Sequence, residues 1–198
     1  TQTDFEEVMG FNPSYFNDEN NPNLTDNSDN RPVEMVTWYG AVMYCNKLSE
    51  IKGLEKYYQI ENIKYEGNNI KKATIKENKN SNGYRLPTEK EWEFAARGGK
   101  NGKPTLYAGS NNLDEVAWYY RESVSTMAVG KKEANELGLY DMSGNVLEWT
   151  NTHTSDISRV VRGGSWCYFE TYCEVDFSYA LHYAEKNYFL GFRVSKSK

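Results

Sequence analysis

The chain has 198 residues, enough for one domain with a sizeable core, and carries 23 Lys and Arg against 28 Asp and Glu for a net charge of −5. That balance argues against nucleic acid as a partner, which asks for a basic face, and no apolar run approaches the roughly 18 residues that a transmembrane helix needs. The 16 Tyr, 8 Phe and 5 Trp exceed what a core of this size uses, and surplus surface Tyr is a recognition signal because the ring supplies contact area at low entropy cost.

In chain order, Thr3 to Gly10 reads as a short helix, with Thr3 as N-cap, Glu6 completing a capping box and Gly10 ending it. Asn17 to Arg31, rich in Asn and Asp and without apolar period, reads as a surface loop. Thr37 to Gly53 is a clearer helix, capped by Thr37, with Ala41, Tyr44, Cys45 and Leu48 on one face. Tyr58-Gln59-Ile60 and Ala73-Thr74-Ile75-Lys76 pair as a hairpin. Thr88 to Glu91 is a second capping box, opening a helix through Arg97 that Gly98-Gly99 terminates. From Tyr107 onward the pattern is short β segments and tight turns. With no linker or repeat, residues 1–198 read as a single irregular α+β domain. Of the three cysteines, an odd number for a disulfide set, Cys45 reads as a buried apolar residue.

Five strings in order resemble one family. They are Pro32 to Trp38, Tyr84 to Glu93, Asn135 to Trp149, Arg162-Gly163-Gly164-Ser165-Trp166, and Gly191-Phe192-Arg193-Val194. Their order and spacing resemble formylglycine-generating-enzyme (sulfatase-modifying-factor) domains. The resemblance implies a C-type lectin-like fold with two main helices, short antiparallel strands and much irregular structure. It also implies a strand or two ahead of Thr1. The chain opens at Thr1-Gln2-Thr3-Asp4 without a leader-like segment, and a processed protein would read the same way.

Within that family the C-terminal region, about residues 162–198, is most similar to the variable proteins of diversity-generating retroelements, the treponemal type. There an Arg-Gly-Gly-Ser-Trp strand is followed by a variable stretch and a terminal Gly-Phe-Arg. Adenine-directed mutagenesis of Asn codons reaches most residue types found between Cys167 and Leu190; Glu170, Glu174, Glu185 and Lys186 fall outside that set. The resemblance implies a non-catalytic, ligand-binding protein whose surface is built from Trp166, Cys167, Tyr168, Phe169, Tyr172, Asp176, Phe177, Tyr179, His182, Tyr183 and Tyr188. Alternate strand residues pointing inward account for part of the same aromatic set. The expected partner is a protein or cell-surface ligand. The expected form is a monomer at the cell surface or outside the cell, with a lipid anchor on a segment ahead of Thr1 as one route.

The alternative is a formylglycine-generating-enzyme-like oxidase acting on a sulfatase cysteine. Such enzymes use two cysteines, three and eight positions past the Ser of the Gly-Gly-Ser strand, for copper-dependent chemistry. Here the first position is Tyr168 and the second is Cys173; Cys167 is one residue early, and in extended chain a one-residue slip turns a side chain to the opposite face. The iron-holding sulfoxide synthases of the same fold need three His, and only His153 and His182 are present. The sugar-binding signatures of lectins are absent, and fold alone does not confer that function. No catalytic residue is therefore assigned and no cofactor is required. The resemblance does carry one structural calcium site, with carboxylates from Asp141 and Glu148 and backbone carbonyls from Gly144 and Val146. A turn held by backbone hydrogen bonds accounts for the same residues. The family's second calcium site does not map, because Val116-Ala117 stand where an Asn is expected.

Overall fold

A computed structural model describes every residue except Pro22, Thr25, Gly67, Asn68, Ser197 and Lys198, with the side chains of Glu66 and Asn69 also left undescribed. Helix α1 runs over Gln2–Met9. Its N-cap is Thr1, with Asp4 closing the capping box, so the helix begins two residues before the expected Thr3. Thr1-x-x-Asp4 and Thr3-x-x-Glu6 are both capping patterns. The earlier one wins because it lets Gln2 and Phe5 turn inward, Gln2 donating to the Phe16 carbonyl at 3.0 Å. Gly10 ends the helix in the left-handed conformation, as expected.

The described part of the Asn/Asp-rich stretch includes a turn at Ser28–Asn30, and its end is no surface loop. Arg31 is fully buried, held by Asp26, Ser125 and the Thr126 carbonyl. Just beyond it, the buried Glu34 carboxylate accepts the backbone N–H groups of Tyr15 (3.0 Å) and Phe16 (2.8 Å), which ties the loop down from inside.

Helix α2 spans Trp38–Ile51 with the Thr37 hydroxyl accepting from the Gly40 N–H at 3.1 Å. Ala41, Tyr44 and Cys45 are buried and Leu48 packs at the edge of the same core. Strands β1 (Tyr58–Glu66) and β2 (Asn69–Glu77) form the expected hairpin, with Ile60 opposite Ile75. The short strand β3 (Tyr84–Arg85) leads into helix α3 (Glu89–Ala96), whose Thr88/Glu91 capping box is complete. Glu91 is also gripped by both terminal nitrogens of Arg85 at 2.7 Å. Residues 97–146 hold the single-turn helix α4 (Leu113–Val116) and turns. The β segments expected from Tyr107 onward begin only at Leu147.

Four strands make the principal sheet: β4 (Leu147–Ser155), β5 (Ser158–Arg162), β6 (Ser178–His182) and β7 (Leu190–Phe192), in the order β6-β5-β4-β7. All neighbours are antiparallel except β7, which runs parallel to β4. The last strand, β8 (Ser195–Lys196), returns to pair with β3.

The main core lies between α1, α2 and this sheet. Two tryptophans lock its centre reciprocally. Trp38 at the start of α2 donates its indole N–H to the Thr150 carbonyl of β4, and Trp149 of β4 donates to the Val36 carbonyl just ahead of α2, both at 2.9 Å. Buried indoles whose N–H is satisfied retain their full packing benefit without a desolvation cost. Among the described residues no helix is long and apolar enough to cross a membrane.

Candidate functional site

Arg162, the last residue of β5, anchors the segment C-terminal to it. Its side chain is buried and lies over the Trp92 ring, centroid distance 5.4 Å. One terminal nitrogen donates to the carbonyls of Asp176 (2.9 Å) and Phe177 (2.7 Å), and the other to Val175 O and Glu93 Oε2 (2.8 and 2.7 Å). A single guanidinium thus fastens residues 175–177 to helix α3 and to the sheet. Between these fixed points the chain leaves the sheet at Gly163 and Gly164, both at positive φ (98° and 71°). A side chain on Gly164 would meet Cys173 Sγ at 2.6 Å and the Tyr172 carbonyl at 2.7 Å, so only glycine lets the segment fold back this tightly.

Cys173 is therefore a core residue. It is fully buried, its carbonyl accepts from Ser143 Oγ at 2.9 Å, and burial pushes its thiol up to about 12. Cys167 is half-buried and also raised by burial, with Ser165 Oγ 3.4 Å from its sulfur. Both stay protonated at neutral pH, and the thiolate is the reactive form. All three cysteines are free.

The remaining expected surface residues divide into two groups. Cys167, Tyr168, Phe169, Tyr172, Phe177 and Tyr179 line one open cavity of about 390 Å³. Trp166 and Tyr188 form a second group, with ring centroids 5.8 Å apart and the indole N–H donating to the Tyr188 carbonyl. Phe189 joins the two groups, 5.6 Å from Tyr188 and 5.4 Å from Tyr168. The outcome is one continuous aromatic band in which Phe169 (54% exposed), Tyr179 (52%) and Tyr188 (42%) face solvent.

Asp176 and His182 are also exposed. His182 Nδ1 accepts from the Ala184 N–H, which directs its ring along its own turn. Tyr183 departs from the expected surface. It is 7% exposed, packs 4.9 Å from Tyr39, and its carbonyl accepts from the Trp38 N–H. It belongs to the main core, because the chain turns inward where β6 ends at His182.

The band also recruits residues that no local sequence pattern marks. Tyr15 and Phe16 pack against Tyr188 (5.9 and 6.1 Å), Phe16 meets Trp166 at 5.4 Å, and Tyr120 meets Phe169 at 4.9 Å. They arrive from loops about 50 to 170 positions away in the chain, tied in by contacts such as the Tyr120 N–H to the Tyr168 carbonyl.

Of the residues expected to bind calcium, Asp141, Val146 and Glu148 line one cavity. Asp141, at φ 54°, accepts the Gly130 N–H at 2.8 Å and faces the Asn145 amide. Burial raises its carboxyl, which opposes the charged form. Glu148 Oε2 accepts from Trp92 Nε1 and Arg193 Nε, each at 2.6 Å, and Oε1 accepts from Arg193 at 2.8 Å. Both Glu148 oxygens already accept hydrogen bonds, and a guanidinium balances the charge. Calcium asks for about 6–8 oxygens, and this donor set does not fit it. Among the described residues no three His, Cys, Asp or Glu are grouped to hold a metal.

The family signature of the sulfatase-modifying factor enzyme 1-like domain matches residues 1–198. The chain therefore belongs to this formylglycine-generating-enzyme-like family, and its fold is the C-type lectin fold of that family. Among solved structures it resembles Treponema denticola variable protein 1, with a TM-score of 0.82 and 34% identity, covering 98% of this chain and 80% of that one. Among characterised proteins it is 41% identical to the chaperone protein LppX of Paenibacillus barcinonensis over 196 residues, 84% of this chain and 66% of that protein. It is also 38% identical over 99 residues to the inactive C-alpha-formylglycine-generating enzyme 2 of Bos taurus, 42% of this chain and 33% of that protein. The chain thus spans two thirds or less of the lengths of these two characterised relatives. Formylglycine-generating enzymes are also among its relatives.

Proposed function

We propose that the domain is a non-catalytic binding module, in which a formylglycine-generating-enzyme-like scaffold presents the segment after Ser165 as a ligand surface diversified by retroelement mutagenesis and displayed outside the cell. The observation that carries this reading is the aromatic band: its rings project from a segment whose backbone Arg162 and Gly164 hold rigid. Exposed rings on a fixed frame give contact area at little entropic cost. Large exposed apolar patches mark interaction sites, since they otherwise burden solubility. The similarity to a variable protein supports the reading.

An oxidase reading lacks its first cysteine at Tyr168 and finds its second, Cys173, buried. The test is at the locus. Sequencing it across isolates should show substitutions concentrated in codons after Arg162, at adenine positions of a near-identical template beside a reverse transcriptase gene. A locus with no such template, and with changes spread evenly along the gene, would sink the diversification claim.

A further inference from the structure

The cavity within the band has a shape and a charge. Tyr172 stands 89° to Phe177 at 5.0 Å and 60° to Tyr168 at 5.3 Å. The rings are walls of a cup, where a flat platform would need them parallel. Each ring carries a negative face, so walls converging on one space favour a cation there.

The chain that builds the cup has the matching sign. Between Arg162 and Lys186 stand Glu170, Glu174, Asp176 and Glu185, with no Lys or Arg. Arg162 itself is buried beneath the segment and spent on carbonyls and Glu93. Glu170 pairs with Arg121 at 3.1 Å, while Glu174 and Asp176 have no ion-pair partner among the described residues. The hydroxyls of Tyr168, Tyr172 and Tyr179 likewise have no partner among the described residues.

We propose that the cup receives an arginine side chain presented by a protein ligand. A guanidinium stacks on aromatic faces and carries five donors in a rigid fork. The phenol oxygens of Tyr168, Tyr172 and Tyr179 are acceptors for those donors, and Glu174 and Asp176, outside the cavity lining, add negative charge on the same segment. A quaternary ammonium would use the ring faces and leave every acceptor unmatched. A lysine ammonium keeps its hydration more tightly and does not stack. The proposal rests on the binding-module reading above and adds to it the chemistry of the ligand.

The test is selection of peptides from a random display library on the full chain, followed by affinity measurement with the enriched peptides. The expected peptides carry arginine. Replacing that arginine with citrulline, which keeps the shape and removes the charge, should weaken binding about tenfold or more. The Glu174→Gln, Asp176→Asn double variant should bind more weakly and with a shallower salt dependence. Tyr172→Ser with Tyr179→Ser should lose binding while keeping the net charge, which separates the cup from general attraction to an acidic protein. Melting curves of both variants check that the fold is intact. Enriched peptides that need Tyr172 and Tyr179 but lack arginine, or that bind equally well as citrulline analogues, overturn the arginine proposal and leave the binding surface standing. Enrichment of nothing that depends on these rings overturns both.

Discussion

Glu34 shows how much one buried group can set. Its carboxylate accepts two backbone N–H groups, yet burial prevails and pushes its carboxyl from the ordinary 4.5 up to about 7. With the folded-state pKa above the unfolded one, the native state holds more protons between those values. The contribution to stability is complete below pH 4.5 and is lost as pH rises through about 7. The melting temperature should therefore rise on acidification from pH 8 to pH 5, by an effect on the order of 2 kcal/mol. Glu34→Gln should remove that part of the slope; an identical pH profile in the variant would assign the effect to other groups. Glu148 is a second buried carboxylate, gripped through both oxygens by Arg193 and through one by an indole N–H. Because that guanidinium already supplies the balancing charge, EDTA should leave the melting curve unchanged. A fall of several degrees would mean that a cation does bind the native state, stabilising it by mass action.

The C-terminal segment combines rings that face solvent with rings that fill the core. β6 is an exposed edge strand, so Tyr179 faces solvent although its cross-strand partner Val161 is buried, while Tyr183 lies past the end of β6 and packs on Tyr39. Serine at Phe169, Tyr172, Tyr179 and Tyr188 together should cost less than about 2 kcal/mol, the sum of four surface changes. Tyr183→Ser alone should cost on the order of 3 kcal/mol, because it leaves a cavity against Tyr39. Thermal melts of the two proteins decide it, and equal losses would mean that the band is core after all. The helices are the most legible elements, because a capping box and a glycine stop are complete within a few residues, as at Thr88/Glu91 and Gly98. The start of α1 lies two residues from its expected place because two capping patterns overlap, and the burial of Gln2 and Phe5 decides between them.

As a whole the molecule has the fold of its family, with Tyr168 where the resemblance implies the first of two thiols. The tryptophan exchange between α2 and β4, the Arg85–Glu91 fork and the Arg162 anchor hold this fold together. At the place of the thiol pair stand a half-buried Tyr168 and a Cys173 sealed under Gly164. Incubation with copper and a Cys-Thr-Pro-Ser-Arg peptide should yield no aldehyde above background. Formation with turnover would restore the oxidase reading, and would require the segment over Cys173 to open.

The amino-acid order alone is enough for the frame: the family, the α+β class, the two capped helices, the hairpin, and the span after Ser165 as the place to look. These rest on motifs whose parts are adjacent in the chain, so local chemistry suffices to recognise them. Which rings form the surface is a matter of packing between distant segments. Tyr179 and Tyr183 lie four residues apart in the same kind of composition, and one faces solvent while the other faces Tyr39. Tyr15, Phe16 and Tyr120 join the band from distant loops. Glu148 reads as a metal ligand until Arg193, 45 residues on, is seen to occupy it. Exposure and charge pairing depend on which distant segments meet, and that information is held by no short stretch of the chain.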